Sequence, residues 1–66
     1  MIQSRVEEYP PEARRMEIFL ALVEVQDAGG VSVVQSRRVV AERFGVSEHQ
    51  VRKIETEGLD RQWPPL

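Results

Sequence analysis

The sequence predicts an all-α fold, a small three-helix domain with a tight turn between the last two helices. Three observations predict it. Apolar residues recur at i, i+3, i+4 spacing in three segments, as helices with a buried side require. Glycine and proline separate those segments at Pro10-Pro11, Gly29-Gly30, Gly45, Gly58 and Pro64-Pro65. The stretch "FGVS", residues 44–47, leaves the chain little room in which to turn.

Residues 1–10 show no period and read as an N-terminal arm, with Val6 and Tyr9 available to pack; residues 11–66 form the domain. The first helix is expected from about Pro11 to Ala28. Proline suits the first turn, where its missing N–H costs nothing, and Glu12 sits where the helix dipole favours an acid. Gly29 ends the helix by taking the left-handed cap. Ala13, Met16, Phe19, Leu20 and Val23 form one apolar face, and Ile18, Leu22 and Val25 a second, nearly opposite. Arg14, Glu17, the flank of Ala21 and Glu24 hold the polar positions. A helix apolar on two sides needs two packing partners. The second is either another subunit, giving a homodimer through the first helix, or the later helices of the same chain.

"VSVVQS" reads as a connection, since six residues do not make a sheet. Ser32 with Gln35 fits a capping box and Ser36 is a second candidate cap, so the start of the next helix stays open by four residues. The second helix is placed at about Arg37 to Phe44, with Val39, Val40, Ala41 and Phe44 inward. Ser47 caps the third helix, Gln50 completes a capping-box pattern, Val51 and Ile54 face inward, and Gly58 closes it near Glu57. Leu59 and Trp63 are expected to fold back on the core, and Pro64-Pro65 prevents further helix.

A chain of 66 residues is one domain and buries only about 60% of its unfolded surface. Oligomerisation is a common remedy for so small a core. With no cysteine, neither disulfides nor a cysteine-held zinc supplies stability, which agrees with a cytoplasmic location. The acidic opening "MIQSRVEEYPP" lacks the apolar core of a signal peptide. "IFLALVEV" is too short to span a bilayer and contains Glu24, so no membrane partner is expected. No phosphate-cradling loop, nucleophile–histidine–carboxylate set or metal cluster appears, so neither an enzyme nor a cofactor is expected.

Net charge is −2, which by itself argues against nucleic acid, because DNA affinity rests largely on Lys and Arg. Its distribution argues otherwise. Residues 1–36 hold three Arg and six acids, a balance of −3; residues 37–66 hold six Lys or Arg and five acids, a balance of +1. A local basic patch matters more than the sum.

The last two helices have the residue types of a helix-turn-helix. Where the helices cross, one side chain must be small, and Ala41 is. The turn needs a residue tolerant of positive φ, and Gly45 stands four positions later. Val40, Phe44, Val46, Val51 and Ile54 supply the shared apolar contact, and Ser47 supplies the cap.

"FGVSEHQVRKIETEGLDRQ" resembles the last helix-turn-helix of bacterial sigma factors, the part that reads the promoter −35 element. That family shows a turn, a Ser or Thr cap and a pattern close to "xxxVRxIExxAL", which "VRKIETEGL" follows. The resemblance covers roughly residues 37–62, less than half the chain, and leaves no room for the regions that bind core polymerase and melt DNA. Gly58 stands where those proteins often have alanine, so this helix is expected to stop sooner. The resemblance implies a stand-alone DNA-reading module, similar also to small phage-type repressors. It also implies double-stranded DNA as partner, for transcriptional regulation.

In such a motif the outward positions of the last helix face the major groove. Here these are Glu48, His49, Arg52, Lys53 and Thr56. Arg52 and Lys53 suit guanine edges or phosphates, and Glu48 suits cytosine N4. Gln50 is either a cap partner or an adenine reader, and Ser47 stands at the cap. Arg37, Arg38 and Arg43 are placed to contact phosphate, which positions without reading. Against this, Glu48, Glu55 and Glu57 repel phosphate and favour a second function, an adaptor docking on RNA polymerase or a larger complex. His49 is the one histidine, and a single exposed histidine is ordinarily a surface residue rather than a ligand.

Overall fold

The computed structural model describes residues 8–66 and contains three helices, α1 (Glu12–Ala28), α2 (Val33–Phe44) and α3 (Glu48–Arg61). Each packs against both others. No strand occurs among the described residues, and no helix there is long and apolar enough to cross a membrane. The proposed packing of Val6 lies outside the described residues.

Helix α1 starts one residue after the expected point. Pro11 is its N-cap, in extended conformation, and the Pro11 carbonyl accepts the Arg15 N–H at 2.9 Å. Ile18, Phe19, Ala21 and Leu22 of α1 are buried, and Met16, Val23 and Val25 pack at their edge. Leu20 is 41% exposed, and Ala13 is exposed as well. The two opposed stripes are therefore one broad inner wedge. Both α2 and α3 lie against it, so Ile18 and Leu22 are covered by the chain's own helices. The stripe that motivated a homodimer through α1 does not face outward.

Helix α2 begins four residues earlier than the expected Arg37. Ser32 forms a reciprocal capping box: its Oγ accepts the Gln35 N–H at 3.1 Å, and Gln35 Oε1 accepts the Ser32 N–H at 3.0 Å. Ser36, the rival cap, lies inside the helix. It is fully buried, with its hydroxyl donating to the Val33 carbonyl and accepting from Gln26 Nε2. Val40 and Ala41 face inward, but Val39 points outward.

The joint to α3 follows the turn chemistry. Gly45 is left-handed (φ 69°, ψ 32°), and its N–H and that of Val46 both reach the Ala41 carbonyl. Ser47 Oγ then accepts the Gln50 N–H at 3.0 Å. The Gln50 side chain does not return to the cap. It is buried and donates from Nε2 to the Glu8 carbonyl at 3.0 Å.

Helix α3 does not stop at Gly58. It runs to Arg61, and Gln62 takes the left-handed cap (φ 55°). Gly58 is helical and buried because the Phe19 ring lies against it; a Cβ there would come within 2.6 Å of Phe19 Cγ. Trp63 folds back as expected, with its ring edge-on to Phe19 at 6.1 Å and 77°. Leu59 does not, and is 57% exposed.

Candidate nucleic-acid interface

The outward residues of α3 come together. His49, Arg52, Lys53 and Thr56, at i, i+3, i+4 and i+7, line a shallow depression of about 210 Å³. All four are exposed. Thr56 Oγ1 donates back to the Arg52 carbonyl at 3.1 Å, so its hydroxyl is tied to its own helix. Arg52 makes no ion pair among the described residues, and neither does Arg43, exposed at the end of α2 beside the turn.

Three of the four acids of α3, Glu48, Glu55 and Glu57, lie on the two flanks of this face and pair with an arginine from elsewhere in the domain; the fourth, Asp60, is exposed one turn beyond Thr56 and makes no ion pair among the described residues. On the α2 side, Arg37 Nε donates to Glu55 Oε1 at 2.9 Å, and Gln26 Nε2 lies 3.4 Å from Glu55 Oε2. Arg38 Nε meets Glu48 Oε2 at 3.4 Å, on the surface. On the α1 side, Arg15 grips Glu57 through both oxygens, Nε to Oε1 at 2.8 Å and Nη2 to Oε2 at 2.9 Å. Arg61 adds a longer contact to Glu57 at 3.4 Å. Glu55 and Glu57 are thereby held by part-buried arginines and Glu48 is met by an exposed one, and the outer face between them carries Arg52 and Lys53, with Asp60 at its C-terminal end.

These pairings revise the sequence-based site list. Arg37 is committed to Glu55 and only 23% of its side chain is exposed, so it is not a free phosphate ligand. Gln50 is buried and is not presented as an adenine reader. Ser47 is half-buried and serves the cap. Glu48 is exposed but engages Arg38. Arg38, Arg43, His49, Arg52, Lys53 and Thr56 remain on the outer surface. The pattern of the sequence did not single out Arg15 or Gln26, and it marked Tyr9 only as available to pack. Arg15 and Glu57 are 42 positions apart, and no local spacing reveals such a pair.

The Arg15–Glu57 pair has a pH consequence. Hydrogen bonding from Arg15, with its charge, holds the Glu57 carboxyl below its ordinary value of 4.5. Burial, then the Glu57 charge, raises the Tyr9 hydroxyl. A carboxyl with a lowered folded pKa stabilises the fold fully above its unfolded value and loses that contribution as pH falls through the folded one. The melting temperature is therefore expected to decline as pH drops below about 4.5. Glu57→Gln should melt lower at neutral pH and decline less steeply in acid. Identical acid profiles for the two proteins would exclude this pair as a source of the decline.

Among the described residues, no group of three or more His, Cys, Asp or Glu is placed to hold a metal ion. No protein-family model, curated protein or solved structure matches the chain. The likeness to sigma factors thus rests on the quoted residues alone.

Proposed function

We propose that this domain binds double-stranded DNA sequence-specifically, as a helix-turn-helix transcriptional regulator with α3 as the reading helix. One observation carries the reading. The outer face of α3 presents His49, Arg52, Lys53 and Thr56 together, while Glu48, Glu55 and Glu57 are each paired with an arginine. Unpaired, those acids would oppose phosphate; paired, they leave Arg52 and Lys53 as the cations of the face, with Asp60 the one unpaired acid of α3, at its C-terminal end. The major groove is about 12 Å wide and admits one helix. Arg43, exposed at the end of α2 and in no ion pair among the described residues, is available to a backbone phosphate. A single copy presents the whole face. A cytoplasmic setting follows from this reading.

Binding to a random duplex at two salt concentrations tests it. Affinity should fall steeply with salt, because each neutralised phosphate releases counterions. Arg52→Ala should weaken binding to a selected site by about 1–3 kcal/mol if the guanidinium reaches a base edge. Binding that ignores salt, or an Arg52→Ala/Lys53→Ala double variant that folds and binds as the wild type does, would refute the proposal in favour of the adaptor.

A further inference from the structure

The short segment before α1 is fastened residue by residue beside the α3 face. Gln50 Nε2 donates to the Glu8 carbonyl at 3.0 Å. Tyr9 donates its hydroxyl to Glu57 Oε1 at 3.2 Å. Arg15 Nη1 donates to the Pro10 carbonyl at 2.9 Å. The Tyr9 ring also receives two cations, the Arg15 guanidinium at 4.8 Å and the Lys53 ammonium at 4.7 Å from its centre.

Lys53 and Arg52 are adjacent in sequence but lie at opposite edges of the outer face. Lys53 neighbours Gln50 and Glu57, at i−3 and i+4, on the side where Tyr9 is docked. Arg52 neighbours Glu48 and Glu55, at i−4 and i+3, on the α2 side. An ammonium on a four-carbon stem is otherwise free to sweep a wide arc, and a ring beneath it narrows that arc. The groove walls are phosphate backbones, so a cation held outward by a ring, as Lys53 is by Tyr9, meets phosphate, whereas no ring or carboxylate among the described residues holds Arg52. A compact ammonium suits that role, whereas the planar fork of arginine matches guanine O6 and N7.

We infer that Tyr9 is a positioning residue that commits Lys53 to a DNA phosphate and leaves Arg52 as the base-reading cation of α3. This rests on the DNA reading above. Lys53 then adds affinity for every sequence, and Arg52 adds discrimination.

The test uses a duplex selected by the whole chain from a random pool, beside an unrelated duplex. Lys53→Met should weaken both by the same factor and lower the salt slope by about one. Arg52→Met should weaken the selected duplex preferentially, by about 5- to 150-fold. Tyr9→Leu should weaken both duplexes by about two- to fivefold and have no further effect in the Lys53→Met background. Tyr9→Phe, which keeps the ring and loses the Glu57 hydrogen bond, should bind as the wild type does. A role for Tyr9 only through its hydrogen bond to Glu57 would make the two variants alike, and a role only in packing would leave the Tyr9→Leu effect undiminished in the Lys53→Met background. Without DNA, the Lys53 side-chain protons should resonate upfield in the wild type and Tyr9→Phe, and return to ordinary positions in Tyr9→Leu. The inference is overturned, with the DNA reading intact, if Tyr9→Leu and Lys53→Met effects simply add or Lys53→Met alters base preference. If the wild type itself shows no salt-dependent duplex binding, both fall together.

Discussion

Leu22→Glu is expected to abolish folding. Leu22 is 1% exposed and belongs to the core with Phe19, Val40, Val51 and Ile54. Truncating such a leucine costs about 2–5 kcal/mol. Placing a carboxylate there adds several kcal/mol more, whether the group stays charged or takes up a proton. At ~0.05–0.15 kcal/mol per residue, a domain of this size has a total stability of roughly 3–10 kcal/mol. The variant should lose its helical circular dichroism and any cooperative melt. Leu20→Glu is the control on the same helix. Leu20 is 41% exposed, and a change there should stay within about 0.5 kcal/mol. A Leu22→Glu protein that folds as a monomer would mean that this side of α1 faces outward and pairs with a second subunit.

The second large effect is expected at Gly58, where two rules give opposite signs. Alanine in a helix interior is favoured over glycine by about 1 kcal/mol, so local propensity makes Gly58→Ala stabilising. The added Cβ, however, would overlap the Phe19 ring. That ring is 1% exposed and also meets Trp63, so it has little room to yield. Overpacking of this kind costs about 1–3 kcal/mol and occasionally more. The backbone of one helix against a rigid, enclosed ring lies at the upper end, so packing should win and Gly58→Ala should melt lower than the wild type. Each kcal/mol corresponds to about 4–8 °C in a domain of this size. Gly58→Val should be worse. Phe19→Leu, itself destabilising, should reduce the penalty of Gly58→Ala when the two are combined. A Gly58→Ala protein that melts at or above the wild type would show that the ring moves aside freely.

The same glycine shows why part of the fold was legible and part was not. Gly45, Ser47 and the Ser32–Gln35 box act through backbone dihedrals and hydrogen bonds within four residues, and each does so in the structure. Gly58 looks identical to a helix terminator when only its neighbours are considered. Its reason for being glycine is Phe19, from another helix. Periodicity likewise identified Ile18 and Leu22 as apolar but not what covers them, because the spacing along one helix carries no record of the angle at which others cross it.

The sequence by itself determined three helices, the glycine turn and serine cap before α3, and the set of outward side chains at Glu48, His49, Arg52, Lys53 and Thr56. These follow from the α-helical period and from short-range capping, which read the same in any tertiary setting. Only the tertiary structure decided that Glu48, Glu55 and Glu57 are offset by Arg38, Arg37 and Arg15. It also decided that Gln50 is buried under Glu8 and that Tyr9 sits beneath Lys53. Those contacts join residues 10 to 44 positions apart in the chain. The charge of the α3 face is therefore a property of packed helices, since a carboxylate's effect depends on which cation lies within a few ångströms, and sequence spacing does not carry that distance.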